Sequence, residues 1–207
     1  MAAQFVKPFR KSRSVKNDRN DAEAIATAAR QGNMRFVPLK SVDQQARLAW
    51  HRVREGYKAE GLTISNRLRG LLAEFGVVVA KGDHALRKVL GDATAMATLP
   101  SMLIDVLTDQ TRHWQQVCER LAACDIRVQA HAKADTRCQR LRAVIGVGPI
   151  TADALVATIG SAHDFKNGRQ LAAWLGVVPT PHSSGRHGRH GTHHRHGDAY
   201  LRTPLPQ

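Results

Sequence analysis

Aromatic residues, cysteines and long apolar runs are all scarce in this sequence. Aromatic side chains account for 5% of its 207 residues, which argues against a broad surface on which nucleic-acid bases stack. The three cysteines, Cys118, Cys124 and Cys138, have no C-x-x-C spacing, so we expect reduced thiols and neither a disulfide framework nor a zinc site. No apolar run reaches the roughly 18–20 residues of a membrane span, and the first residues lack the apolar stretch of a signal peptide. We therefore expect no membrane contact and a cytoplasmic location in a prokaryote.

Acidic residues are also few in comparison with basic ones. The chain has 31 Lys and Arg against 17 Asp and Glu, which gives a formal net charge of +14 and a pI near 10.7. An excess of this size favours a polyanionic partner, with nucleic acid as the first candidate, although a basic protein without such a partner is the alternative. Hydrophobic residues make up 43% of the chain, which is enough for a folded core. The length suits one large domain or two small ones.

Two aspartates, Asp18 and Asp21, lie three residues apart at the start of a predicted helix that runs to about Arg30. Positions i and i+3 share a helix face, so the two carboxylates can point at one spot. Oxygen ligands beside basic residues suggest half of a nuclease metal site that holds a divalent cation facing phosphate. The alternative is helix capping, with Asp18 at the N-cap and Asp21 at the third helical position.

The middle of the chain predicts long helices. Apolar residues recur at helical spacing through 41–76, where Gly56 and Gly61 weaken the prediction of one unbroken helix and Gly76 is the expected end. Residues 84–140 are again helical in pattern, with a break at Pro100. Within them, an a/d seam predicts a helical hairpin or a dimerising coiled coil, and a plain amphipathic helix is the alternative. Its members are Leu107, Gln110, Trp114, Val117, Leu121, Cys124 and Val128.

A different pattern begins at residue 141. Residues 141–155 read as helix, Gly146-Val147-Gly148, helix, which is typical of a helix-hairpin-helix that presents backbone N–H groups to a phosphate. The alternative is a glycine turn between two packed helices. Residues 180–197 are rich in Gly, His and Arg and have few apolar groups, which predicts a flexible loop. Histidines in this tail predict contact with a phosphate backbone and not a structural zinc site.

Three blocks occur in a fixed order: KNDRNDAEAIA, IGVGPITADALVATIGSAHDFKNGRQLAAWLGVVP, and HSSGR followed by GDAYLR. Together they resemble the transposases of the IS one-ten family, the IS116/IS902 group. The resemblance implies a RuvC-like, RNase H-fold domain with a DEDD set of acids that binds magnesium, a helical linker, and a C-terminal domain with a nucleophilic serine. It also implies site-specific recombination of an insertion sequence, with DNA sites chosen by a guide (bridge) RNA.

The resemblance assigns roles to particular residues. Asp18 and Asp21 match the last two acids of the DEDD set, and Ser184 is the best match for the serine, with Ser183 as the neighbouring candidate. A serine that attacks a phosphodiester would conserve the bond energy in a phosphoserine linkage. The residues expected to contact DNA are Gly146, Gly148, Lys166, Arg169, Arg186 and Arg202.

The expected architecture is mainly α, in three parts. Residues 1–40 would be the C-terminal remnant of the RuvC-like domain, 41–140 a helical linker or coiled coil, and 141–207 the C-terminal transposase domain with its serine loop. The chain lacks the first Asp and the Glu of the family's set, so we expect an N-terminally truncated, homo-oligomeric transposase that is inactive alone. The competing interpretation is a non-catalytic nucleic-acid-binding helical module.

Overall fold

The computed structural model describes residues 3–10, 17–32, 34, 36, 39–176, 179–184, 187–193 and 199–202. The chain divides into two compact units, Met1–Ser41 and Val42–Gln207. The described residues are mainly helical, as the sequence predicts. None of the described helices has both the length and the apolar character that a membrane crossing requires.

The first unit is small and helical. Its elements are α1 (Ala3–Val6), a 3-10 turn (Lys7–Phe9) and α2 (Asp18–Ala29). Ala24 and Ala28, which lie four residues apart on one face of α2, are buried. The described part of this unit contains no strand, and the prediction that residues 1–40 derive from an RNase H-like fold remains a prediction.

The second unit contains the long helices that the apolar spacing predicts. Its elements are α3 (Val42–Glu74), α4 (Asp83–Leu90), α5 (Ala93–Ala97), α6 (Ser101–Ala134), α7 (Thr136–Arg142), α8 (Pro149–Thr158), a 3-10 turn (Ala162–Asp164), α9 (Gly168–Leu175), β1 (Pro179–Ser184), β2 (His187–His193) and α10 (Ala199–Arg202).

Helices α3 and α6 pack lengthwise and antiparallel. Their pairing runs from Arg47 against Asp135 at one end to Arg67 against Gln110, 2.7 Å apart, towards the other. The seam of α6 faces α3, since five of its seven residues are buried: Leu107, Trp114, Val117, Cys124 and Val128. This antiparallel pairing within one chain agrees with the helical hairpin, one of the two structures that the seam predicts. Because α3 covers the seam within the chain, dimerisation through a coiled coil remains an untested prediction.

Helix α3 is unbroken despite Gly56 and Gly61. A Cβ placed on Gly61 would lie 3.6 Å from Cγ1 of Val117 in α6, so the two backbones approach closely there, whereas a Cβ on Gly56 would meet nothing within 4 Å. Gly76 has a φ of +81°, a left-handed conformation that favours glycine, and lies just after the helix end as predicted.

The predicted break before Ser101 is confirmed, and a second break follows at Asp135. Pro100 precedes the first turn of α6, which begins at Ser101. Asp135 has an extended backbone, and its side chain accepts a hydrogen bond from the Arg137 amide (2.9 Å), which caps α7. The single helical stretch expected from 101 to 140 is therefore two helices, α6 and α7.

The prediction of a flexible loop over 180–197 is wrong where the tail is described. Strands β1 and β2 form an antiparallel pair in which Pro181 lies opposite His190, and Ser184 opposite His187. Ser184, expected in a loop, is the last residue of a strand. The prediction considered only the scarcity of apolar side chains, whereas a two-stranded ladder is formed by backbone hydrogen bonds.

Candidate nucleic-acid interface

Asp18 and Asp21 both lie in the first turn of α2. The side chain of Asn17 accepts a hydrogen bond from the Asn20 amide (2.8 Å), so Asn17 is the N-cap and the capping alternative for Asp18 is wrong. Asp18 is exposed. Asp21 is part-buried, and its Oδ1 lies 2.8 Å from Nη2 of Arg10. Both carboxylates thus lie at the positive end of the helix dipole.

A divalent cation needs more ligands than this pair supplies. Magnesium prefers about six oxygen ligands in octahedral geometry, and one of the two carboxylates is already paired with Arg10. Among the residues that the structure describes, no group of three or more His, Cys, Asp or Glu side chains could hold a metal. The aspartates therefore do not fit a magnesium site by themselves, and we derive no reaction step through one.

The predicted nucleophile Ser184 and its neighbour Ser183 lie in strand β1. Ser183 is opposite Gly188 and Ser184 is opposite His187. The side chains of both serines and of Arg202 lie outside the described part of the structure, as does all of Arg186. The role of these side chains stays a prediction.

The predicted glycine turn lies between α7 and α8. Gly146 has a φ of +87°, which only glycine adopts without strain, and Gly148 is the extended N-cap of α8. A Cβ on Gly148 would meet nothing within 4 Å, so the backbone at the start of α8 is open to a ligand. Pro149 occupies the first helical position, where its missing N–H costs nothing. Ile145 at the tip is 99% exposed.

The predicted contacts at Lys166 and Arg169 lie at the start of α9: Lys166 just precedes the N-cap Asn167, and Arg169 is in the first turn. Both residues are exposed. The Lys166 amide donates to Oε1 of Gln170 (2.7 Å), and the Asn167 side chain accepts from the Gln170 amide (3.0 Å), which caps α9. The glycine turn borders a cavity, and neither Lys166 nor Arg169 lines it.

A buried polar network joins α3, α8 and α10. His51 and Asp153 are 1% and 0% exposed. Nε2 of His51 lies 2.9 Å from Oδ2 of Asp153, and Nδ1 lies 2.6 Å from the Tyr200 hydroxyl. Arg47 donates to Asp153 (3.3 Å) and to Asp135 (2.9 Å). Every charge in this network has a partner, as buried charges require.

A cavity of about 390 Å³ lies beside this network and the glycine turn. Helix α3 contributes Arg54, Glu55 and Lys58, and α10 contributes Tyr200. The other wall is the turn and the start of α8, through Gly146, Gly148, Pro149, Ile150 and Thr151. The structure therefore brings the two predicted glycines together with two basic side chains from a distant helix.

Burial and neighbouring charges fix the protonation of three groups here. Burial raises the pKa of the Tyr200 hydroxyl to about 12, so Tyr200 is a neutral hydrogen-bonding group near pH 7. Burial also raises the pKa of the Cys138 thiol to about 11, which keeps it protonated. Hydrogen bonds from Arg137 hold the pKa of Asp135 well below its usual range, so Asp135 stays charged.

Sequence reasoning missed this network, although one signal was present. Arg47, His51, Arg54 and Lys58 follow each other at spacings of four, three and four, so they share one face of α3. Such a polar stripe usually faces water. Here Arg47 is part-buried and paired with Asp135 and Asp153, and His51 is buried beside Asp153 and Tyr200. Arg54 and Lys58 line the cavity.

Comparison with known proteins explains the resemblance of the sequence blocks. Residues 138–207 match a family described as "Transposase IS116/IS110/IS902 family". A probable family 20 transposase of Pseudomonas aeruginosa is 43% identical over 99% of this chain and 61% of its own length. The transposase for insertion sequence element IS1111A of Coxiella burnetii is 35% identical over 99% of this chain and 56% of its own length. The transposase for IS1328 of Yersinia enterocolitica is 33% identical over the whole chain and 61% of its own length.

Residues 138–207 thus match the IS116/IS110/IS902 transposase family, and the whole chain is similar to transposases of insertion sequences. It spans about 61%, 56% and 61% of the lengths of these three relatives. The region that matches the transposase family model begins inside α7 and includes the glycine turn, α8 and α10. The α3 wall of the cavity lies outside that region but inside the part aligned with these transposases.

Proposed function

We propose that this chain is the nucleic-acid-binding part of an insertion-sequence transposase that acts by site-specific recombination. The observation that carries the proposal is the open glycine turn before α8, which borders a cavity with basic side chains and lies in the region that matches this family. Backbone N–H groups at a helix start attract phosphate, and a net charge of +14 attracts a polyanion over longer distances.

The turn between α7 and α8 would act as a helix-hairpin-helix. Gly146 and Gly148 would let a DNA strand approach the backbone, since neither glycine carries a side chain. The exposed Lys166 and Arg169 would contact phosphates from the start of α9, with Arg186 and Arg202 as further contacts. Because these are contacts to the backbone of DNA, they would position the protein without reading sequence.

The chemistry would reside in Ser184, with Ser183 as the alternative. The serine oxygen would bond to phosphorus while the bridging oxygen of the cut strand leaves, which would store the bond energy as phosphoserine. Asp18 and Asp21 would belong to the RuvC-like part that binds magnesium. Two carboxylates do not complete such a site, so we propose that the 207-residue chain binds nucleic acid but does not recombine it alone.

The resemblance also supports partners and a location. Guide RNA and a second copy of the chain would join the protein on DNA, in the cytoplasm of a prokaryote and associated with its nucleoid. The second candidate function is a non-catalytic nucleic-acid-binding module. The pairing of Asp21 with Arg10 favours it, because this contact occupies one of the two carboxylates.

The test is a strand-transfer assay with the purified chain, magnesium, guide RNA and both DNA sites. We expect DNA binding without recombinant product, and any recombinant product would refute the proposed inactivity. If product forms, alanine at Asp18, Asp21 or Ser184 should abolish it and leave DNA binding unchanged. If those variants keep full activity, the assigned roles are wrong.

A further inference from the structure

The cavity of about 390 Å³ is built by three elements that are distant in the sequence. Arg54 and Lys58 lie on α3, Tyr200 lies on α10, and the opposite wall is the glycine turn with the start of α8. One liquid water occupies about 30 Å³, so the cavity has room for a phosphate group with several waters. Its polar groups come from both walls, as a site that holds a small anion requires.

The charges on the α3 wall are arranged around one carboxylate. Glu55 Oε1 lies 3.1 Å from Nη1 of Arg54 and 3.8 Å from Nζ of Lys58. Asp125 on α6 also accepts a hydrogen bond from Arg54, which fixes its guanidinium. The Glu55 side chain is 38% exposed, so it can turn towards water. A ligand anion would replace Glu55 as the partner of the two cations.

Buried groups hold Tyr200 beside the cavity. Asp153 accepts the Nε2–H of His51 across 2.9 Å, and Nδ1 of His51 lies 2.6 Å from the Tyr200 hydroxyl. A hydrogen bond also joins Tyr200 to Arg54, so Tyr200 helps to hold the Arg54 guanidinium at the cavity.

We propose that this cavity binds one phosphodiester of the nucleic-acid backbone, with Arg54 and Lys58 as its side-chain donors and the open start of α8 as its other wall. The inference rests on the proposed nucleic-acid binding and names a site for it.

The test is the dissociation constant of the full chain for a short fluorescent DNA duplex, measured by anisotropy at constant ionic strength. We expect Lys58→Ala to weaken binding about tenfold, since a hydrogen bond to a charged group contributes about that factor. Glu55→Gln should tighten binding. Lys88→Ala is the matched control, because Lys88 is exposed on α4 and does not line the cavity, and its effect should stay below about twofold.

A change in the duplex separates contact with the phosphate charge from other contacts. A duplex with a neutral methylphosphonate backbone should bind weakly to the parent and to Lys58→Ala alike, because it offers no charge to the two cations. Thermal melts of each variant by circular dichroism establish that it is folded.

Two results would overturn the inference in distinguishable ways. If the parent chain binds the duplex but folded Lys58→Ala behaves like Lys88→Ala, the cavity is not the phosphate site, while the proposed function stands. If the parent chain does not bind the duplex, the proposed function and this site are both wrong.

Discussion

At the scale of single residues, Gly61 and Gly56 show how two glycines in one helix can have different roles. Gly61 lies where α3 approaches α6, with Val117 Cγ1 3.6 Å from a virtual Cβ, and Gly56 has open space around it. A methyl group fits at both positions. A larger side chain fits only at Gly56, because the interior of the helix pair is closely packed.

We therefore expect Gly61→Leu to lower the free energy of unfolding by about 1–3 kcal/mol, as overpacked cores do. Gly56→Leu should raise it by up to about 1 kcal/mol, since leucine is the better helix former. Urea unfolding followed by circular dichroism measures both. Equal effects at the two positions would mean that the helices do not approach at Gly61.

Asp135 is the residue whose charge contributes most clearly to stability. It accepts hydrogen bonds from Arg137 and Arg47, and its pKa in the folded chain is well below that in the unfolded chain. The stabilisation is therefore present above about pH 4 and is lost as pH falls below it.

Asp135→Asn keeps a capping oxygen and removes the charge. Near pH 7 we expect it to lower the free energy of unfolding by about 2 kcal/mol, the contribution of hydrogen bonds to a charged group. The difference from the parent should shrink as pH falls below about 4. Urea titrations across this pH range measure it, with exposed Asp105→Asn as the control. A constant difference at all pH values would contradict the assigned role.

At the scale of elements, the a/d spacing in the sequence of α6 predicts which face of this helix is buried. Leu107 is 2% exposed against α3, whereas Leu62 on α3 is 62% exposed. Leu107→Ala should cost about 2–5 kcal/mol of unfolding free energy, because it removes apolar contact and leaves a void. Leu62→Ala should change stability by less than about 0.5 kcal/mol. Similar costs at both sites would mean that the seam does not face α3.

Whether a helix or strand can be predicted from the sequence depends on whether its residues carry a local physical signal. The bounds of α3 and the break at Pro100 follow from apolar spacing, glycine and proline, which act locally. The sequence contains no such local signal for the β1–β2 pair, because backbone pairing tolerates polar and glycine residues. The His51–Asp153–Tyr200 network was also missed. It joins residues from three distant elements, and spacing along α3 alone does not show which polar residues become buried.

At the scale of the whole molecule, charge is the property most relevant to the proposed function. Basic residues exceed acidic ones by 14, and several of the acids are paired with arginines inside the second unit. The remaining excess favours a long anionic partner over a small one. A dimerising coiled coil, the other use of the long helices, would depend on apolar contact and would associate independently of salt.

The most direct measurement is therefore the affinity of the purified chain for a DNA duplex at increasing salt. Each phosphate contact releases counterions, so we predict that the affinity falls at least about a hundredfold between about 50 and 200 mM salt. Self-association of the chain, followed by sedimentation, should change much less over the same range. Absence of DNA binding, or binding that salt does not weaken, would contradict the account.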